Sequence, residues 1–229
     1  VRAFALLIAI ASSSAQVERP SLGLMLDQNG AARPVLGVAG SVTLGDAIAN
    51  DVQALACSKR LCLLKTDAAV VSSSGESADA PPGPALIAPP FIYFERTNQL
   101  ALWTGGKLEP IDLALDGQVL SMRQATDGTI EFAVARPNGS WLIHGDGTVI
   151  DSLPSGPVML LQHGVIFASS DEVILRRADG TESRFDIADA ESFFPLGEGY
   201  AGVRAGDSTW AIRIEPGREQ AFLLPGVAP

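Results

Sequence analysis

The sequence predicts an all-β protein assembled from repeated units of four short strands. Residues 126–153 (TDGTIEFAVARPNGSWLIHGDGTVIDSL) show the unit most clearly: three apolar runs set off by Asp127-Gly128, Asn138-Gly139 and Asp146-Gly147. Asn-Gly and Asp-Gly supply the positive φ angles of tight hairpin turns, so the four to five residues between them read as antiparallel strands. The unit then recurs along the chain. Composition agrees, since 18% charged residues with 23 Gly and 15 Pro among 229 suit short strands and tight turns better than long helices.

In order, the chain begins with Arg2, an apolar run at residues 3–11 (AFALLIAIA) and then SSSAQ. A positive start, an apolar core too short to span a bilayer and a small-residue end read as a secretory signal, with cleavage expected after Ala15. That division gives residues 1–15 as the signal and 16–229 as the folded domain. A hairpin follows, LGLMLD and RPVLGV around Asn29-Gly30. Candidate inner strands then fall at 41–44, 85–88, 119–122, 158–161 and 192–196, each opening a unit. The second strands start at Val52, Phe91, Phe132, Val165 and Tyr200, giving spacings of 39, 41, 33 and 35 residues. Trp103, Trp141 and Trp210 all fall in the third strand of their units, where large aromatics fill the space between sheets. The polar, proline-rich residues 72–84 (SSSGESADAPPGP) read as an exposed loop between units that neither buries nor ladders.

Four short strands repeated about every 40 residues resemble a β-propeller, here of five or six small four-stranded blades with an N-terminal hairpin. The resemblance covers nearly all of residues 16–229 and lies in architecture alone. The Trp-Asp and Gly-His signature of WD40 repeats, the double glycine of kelch repeats and the aspartate box of sialidases are missing. The RPVLGVAG hairpin resembles the start of secreted bacterial proteins for which no activity carries over.

Charge narrows the partners. A formal net charge of −10, becoming −11 without Arg2, and 16 Lys+Arg with no basic run exclude a phosphate-binding stripe and disfavour anionic membranes. No membrane span is expected after signal cleavage. Cys57 and Cys62 flank a four-residue turn, so they can face one another on paired strands. An oxidising compartment favours the disulfide, with free thiols as the alternative.

Chemistry is sparse. No G-x-S-x-G elbow, phosphate loop or calcium loop is present, so neither a cofactor nor a metal site is expected. In a propeller the loops leaving the inner strands converge at one end, which would place Asp51, Arg123, His163 and Glu198 around the channel mouth. Such a ring can hold a small polar ligand, and His163 oriented by Glu198 can serve as a general base. The plain alternative is ordinary loop polarity, with Arg123 paired to a carboxylate. The expected function is therefore an exported, monomeric, non-enzymatic binding or scaffold module for a protein, peptide or glycan. A hydrolase or lyase using His163 and Glu198, with or without a cation, is the competing expectation.

Overall fold

The computed structural model describes residues 20–197 and 199–226; the expected signal segment and Glu198 lie outside them. The fold is a β-propeller of six blades. Blade 1 is β1 (Ser21–Leu26), β2 (Ala32–Val38) and β3 (Ser41–Leu44). Blade 2 is β4 (Ala54–Cys57), β5 (Cys62–Lys65), β6 (Ala69–Ser72) and β7 (Ser77–Asp79). Blade 3 is β8 (Ala85–Ala88), β9 (Phe91–Phe94), β10 (Gln99–Trp103) and β11 (Leu108–Ile111). Blade 4 is β12 (Gln118–Gln124), β13 (Ile130–Arg136), β14 (Gly139–His144) and β15 (Val149–Leu153). Blade 5 is β16 (Val158–Leu161), β17 (Gly164–Ala168), β18 (Val173–Arg177) and β19 (Glu182–Phe185). Blade 6 is β20 (Ala190–Gly197), β21 (Tyr200–Ala205), β22 (Ser208–Arg213) and β23 (Gln220–Leu223). Every sheet is an antiparallel meander whose first strand is innermost, and β1 closes the ring between β20 and β4. Among the described residues no helix is long and apolar enough to cross a membrane.

The local signals that shaped these strands are visible in the turns. Asp127, Asp146 and Asp179 each precede Gly-Thr, and each carboxylate accepts the threonine N–H at 2.9 Å while the glycine takes φ of +88 to +89 or +84°. The aspartate thus mimics a backbone turn while glycine supplies the left-handed residue. These hydrogen bonds hold all three carboxyls below the usual aspartate range.

Blades pack face to face, and one core cluster fills each seam. The tryptophans sit as expected: Trp103 in the seam of blades 2 and 3, Trp141 in that of blades 3 and 4, and Trp210 in that of blades 5 and 6. Blade-to-blade packing accounts for them, as it does for Tyr93, whose buried ring meets Phe132 edge-on and whose hydroxyl donates to Asn98 at 2.8 Å.

The start of the chain departs from expectation. Residues 41–44 form the outermost strand of blade 1, not the inner strand of a four-stranded unit, and the stretch from Val52 contains the inner strand of blade 2. The later blades open at β8, β12, β16 and β20. Residues 72–84 also do more than link units. Ser77–Asp79 ladder with β6 as the rim strand β7, because pairing uses backbone groups and a rim tolerates polar side chains. Ser72 is buried, its hydroxyl accepting the Glu76 N–H at 3.2 Å.

Among the described residues blade 1 has three strands, for a countable reason. Between the third strand of each of blades 2 to 5 and the next inner strand run 12 to 14 residues, enough for a rim strand and a return. Between β3 and β4 run nine, residues 45–53. An odd strand number also reverses direction. A four-stranded blade ends at the face where it began, whereas a three-stranded one ends at the opposite face. β1 accordingly runs against its neighbours: Leu22 lies against Gly197, Gly23 against Leu196, and the Leu26 carbonyl accepts a hydrogen bond from Arg204, which pairs with Ser192. Its far end meets the start of blade 2, where the Val52 N–H donates to the Gly30 carbonyl at 2.8 Å. β12 and β16 show the ordinary parallel arrangement, Ser121 beside Leu160 and Arg123 beside Leu161.

Candidate functional site

The inner strands enclose a central cavity of about 560 Å³ to which all six blades contribute. For blades 2 to 6, the turns from first to second strand gather at one face of the ring, here called the front. The chain passes between successive blades at the back. Reversal of β1 puts its own turn, 27–30, at the back, while the turn joining β2 to β3 comes to the front.

The cavity wall is mostly apolar, including Met25, Leu86, Met122, Leu160 and Phe193, with Gln53, Gln124 and Gln162 as amide groups. Its charged lining is Arg123 and Arg204; no carboxylate or imidazole of a described residue lines it. A largely apolar wall carrying a few directed polar groups is the usual makeup of a ligand pocket.

The expected ring residues separate. Arg123 lies on β12 as anticipated, and its guanidinium is occupied. Nε and Nη2 each meet Oε2 of the buried Glu131 at 2.6 Å, while Nη1 donates to the Leu161 carbonyl at 2.5 Å and the Gly164 carbonyl at 2.9 Å. It braces the β16–β17 turn from the neighbouring blade. That turn carries Gln162 and His163 at the front, where His163 is exposed and its carbonyl accepts the Ala178 N–H at 3.1 Å. His163 does not line the channel. It borders a second cavity of about 440 Å³ between blades 4 and 5, together with Asp151, Arg176 and Arg177. Asp51 is the clear displacement: it sits in the linker before β4, at the back, exposed and with φ 56°. The expectation for it assumed that Ser41–Leu44 was an inner strand, so the shift of one strand carried it to the wrong face. Glu198 lies outside the described residues.

Cys57 and Cys62 face one another across the β4–β5 hairpin with their sulfurs 2.06 Å apart, a disulfide. Cys57 lines the channel, and the hairpin tip presents Lys59 and Arg60 at the front, stiffened by Ser58, whose hydroxyl accepts the Leu61 N–H at 3.2 Å. Next to it, the Pro89-Pro90 turn has a cis peptide bond. Among the described residues no group of three or more His, Cys, Asp or Glu is placed to hold a metal ion.

Sequence reasoning missed Arg204, which comes from a second strand. Its guanidinium lies over the Phe194 ring, 5.6 Å from the centroid, and donates to Leu26 at 3.1 Å. Gly202 makes this possible, because a Cβ there would meet the Phe194 ring at 2.2 Å. The signal available was an arginine two residues after a glycine in an apolar strand. Also missed was Lys65, wholly buried on β5, whose ammonium donates to the carbonyls of Thr66 and Asp67, the latter at 3.0 Å. Burial pushes its pKa down, opposed by the Asp67 charge.

No family model matches the chain, and no curated protein does. Solved structures do. PorZ, an essential bacterial surface component of the type-IX secretion system of Porphyromonas gingivalis, aligns with a TM-score of 0.51 at 13% identity over 90% of this chain. The match spans 31% of PorZ, so the chain corresponds to about a third of that protein's length. Virginiamycin B lyase from Staphylococcus aureus gives 0.47 at 12% identity, covering 88% of this chain and 83% of the lyase. The extracellular domain of BT4673 from B. thetaiotaomicron gives 0.44 at 10% identity over 91% of this chain and 34% of that one. At such identities the likeness establishes the β-propeller fold and nothing finer.

Proposed function

We propose that the chain is an exported, non-enzymatic binding module that receives an apolar segment of a protein or peptide at the front mouth of its channel. The observation that carries this is the channel itself: about 560 Å³ of mostly apolar wall, with glutamine amides and two arginines and without an acid–base pair of described residues. Apolar surface supplies the affinity and the amides fix orientation. The rigid ring holds the front turns in place, the arrangement in which loops most often carry recognition. Export is supported by the apolar residues 3–11 behind Arg2 and by the disulfide. The placement of His163 against the inter-blade cavity rather than the channel lends the hydrolase or lyase reading no support.

The test is a thermal-shift and calorimetric screen of apolar tripeptides, with oligosaccharides as the contrasting class, against the wild type and Gln162→Trp. Gln162 is exposed and lines the channel, so the indole fills the mouth with little cost to the core. A ligand that binds only the native state raises its melting temperature. We expect tripeptide binding in the wild type and at least a tenfold loss in the variant; binding that ignores the indole would remove the channel from consideration.

A further inference from the structure

We propose that the rim of blade 1 is a strand-docking site, where an extended segment of a partner protein adds to β3 as the missing fourth strand. The segment would carry apolar residues at alternate positions, preceded by lysine or arginine.

Among the described residues no strand pairs with the outer edge of β3, which leaves a slot there. The nine residues 45–53 are too few to run back along β3, so this stretch cannot supply the strand itself. Antiparallel pairing orients the slot's backbone. The Gly37 N–H turns to Pro20 and the Gly45 N–H turns to Pro34, and the pairs Leu36–Thr43 and Val38–Ser41 alternate with Gly37–Val42 and Val35–Leu44. The N–H and C=O groups of Val42 and Leu44 therefore point away from β2, into the slot. Four aligned backbone groups at an edge form a template for an added strand.

Among the described residues this edge lacks the protection found elsewhere. The rim strands of blades 2 to 5 carry Asp79, Glu109 with Pro110, Asp151, and Glu182 with Arg184, and β23 is bracketed by Glu219 and Pro225. Charges and prolines on rim strands discourage pairing. β3 reads Ser-Val-Thr-Leu between two glycines. Just past its end Ile48 is 57% exposed, apolar surface at the back end of the slot.

Geometry and charge select the guest. Blades 2 and 6 each extend one strand further than blade 1, so the slot is recessed by about 4.8 Å, one strand spacing. A single extended segment fits; a second copy of the ring would meet the flanking rims first. β3 ends at the back face, where an antiparallel guest begins. Asp46, one residue past Gly45, is exposed there, and its carboxylate has no hydrogen bond or ion pair among the described residues. A basic residue ahead of the guest's apolar stretch complements Asp46.

The probe is a synthetic decapeptide, two lysines followed by alternating valine and threonine, read by fluorescence anisotropy and by amide exchange of the purified chain. Two versions are N-methylated, one on the amides facing β3 and one on the alternate set, so that backbone pairing is tested without altering the edge itself. The expected result is binding by the parent and by the second version, a loss of at least tenfold for the first, and slowed exchange of the Val42 and Leu44 amides. Asp46→Lys should weaken binding several-fold, and Gln162→Trp should leave it unchanged, separating this site from the channel. Equal binding of both methylated versions, or no change in exchange at Val42 and Leu44, overturns the proposal. So does slow exchange of those amides in the free protein, which at monomer mass assigns the slot to another part of this chain and at dimer mass to a second copy.

Discussion

The seam between blades 5 and 6 and the seam between blades 1 and 2 do the same job with unequal means. The first buries nine apolar side chains among the described residues, with Ile166, Val173 and Ile212 wholly enclosed. Arg177 crosses it to pair with Glu219 and to reach the Ile214 carbonyl at 3.2 Å. The second buries three, Ala32, Val52 and Leu55, and is spanned by the linker, whose Val52 N–H meets Gly30. A ring needs every seam, but its seams need not be equally strong. The thin one lies where the chain has fewest residues to spend, and the covalent linker makes up part of the shortfall.

The comparison breaks most sharply under truncation. Ile212→Ala should destabilise by about 4 kcal/mol, and Val52→Ala by about 1 kcal/mol, measured by urea unfolding; similar values at the two sites would mean that the seams share load equally. Next comes the backbone closure of blade 1 on blade 6. Gly23 has φ +133°, and a Cβ there would lie 1.6 Å from the Leu196 carbonyl oxygen, so Gly23→Ala should cost about 3 kcal/mol and expose β1 to amide exchange before blades 3 to 5.

A smaller effect concerns the back turn of blade 1. Asp27 is buried; its carboxylate accepts the Asn29 and Ala31 N–H groups at 2.8 and 2.9 Å and pairs with Arg33 at 2.8 Å. Burial pushes its pKa up, but the Arg33 and backbone hydrogen bonds outweigh that and leave it lowered. Asp27→Asn should cost about 2 kcal/mol at neutral pH. A carboxyl whose folded pKa lies below its unfolded value, about 3.9, contributes stability above that value and loses it as pH falls through the folded pKa. The gap between wild type and Asp27→Asn should therefore close below about pH 4; a gap constant with pH would remove the ionised carboxylate from the account. Smallest of all should be Asp179→Asn, whose exposed turn keeps an amide oxygen to accept from Thr181 at a position fixed by Gly180. A change in melting temperature beyond a degree or two would show that this turn contributes to the strong seam.

Blades 3 to 6 were legible because their signals are local. Phe91 and Tyr200 begin second strands as expected, and the aspartate-glycine-threonine turns fall between strands where the positive φ angle requires them. The misreading at 41–57 came from counting. Ser41–Leu44 has the alternation of a strand whether it is first or third in a sheet, and only the short linker behind it decides which. For the site, His163 lies in the turn between β16 and β17. Its distance from the channel was hidden because Arg123, from the next blade, is pinned to that turn by Glu131 and two carbonyls. Arg204 had only the glycine two residues before it as a signal, because its channel position depends on Phe194, a ring on the neighbouring strand.

By itself the sequence determined the all-β class, the hairpins and the repeat, since turn conformation and strand alternation depend on residues a few positions apart. The closed ring alone decided that blade 1 has three strands and runs in reverse, that Asp51 faces the back, and that Val42 and Leu44 present an open edge. These follow from strand parity and from which blades meet at closure, and both are properties of the assembled ring.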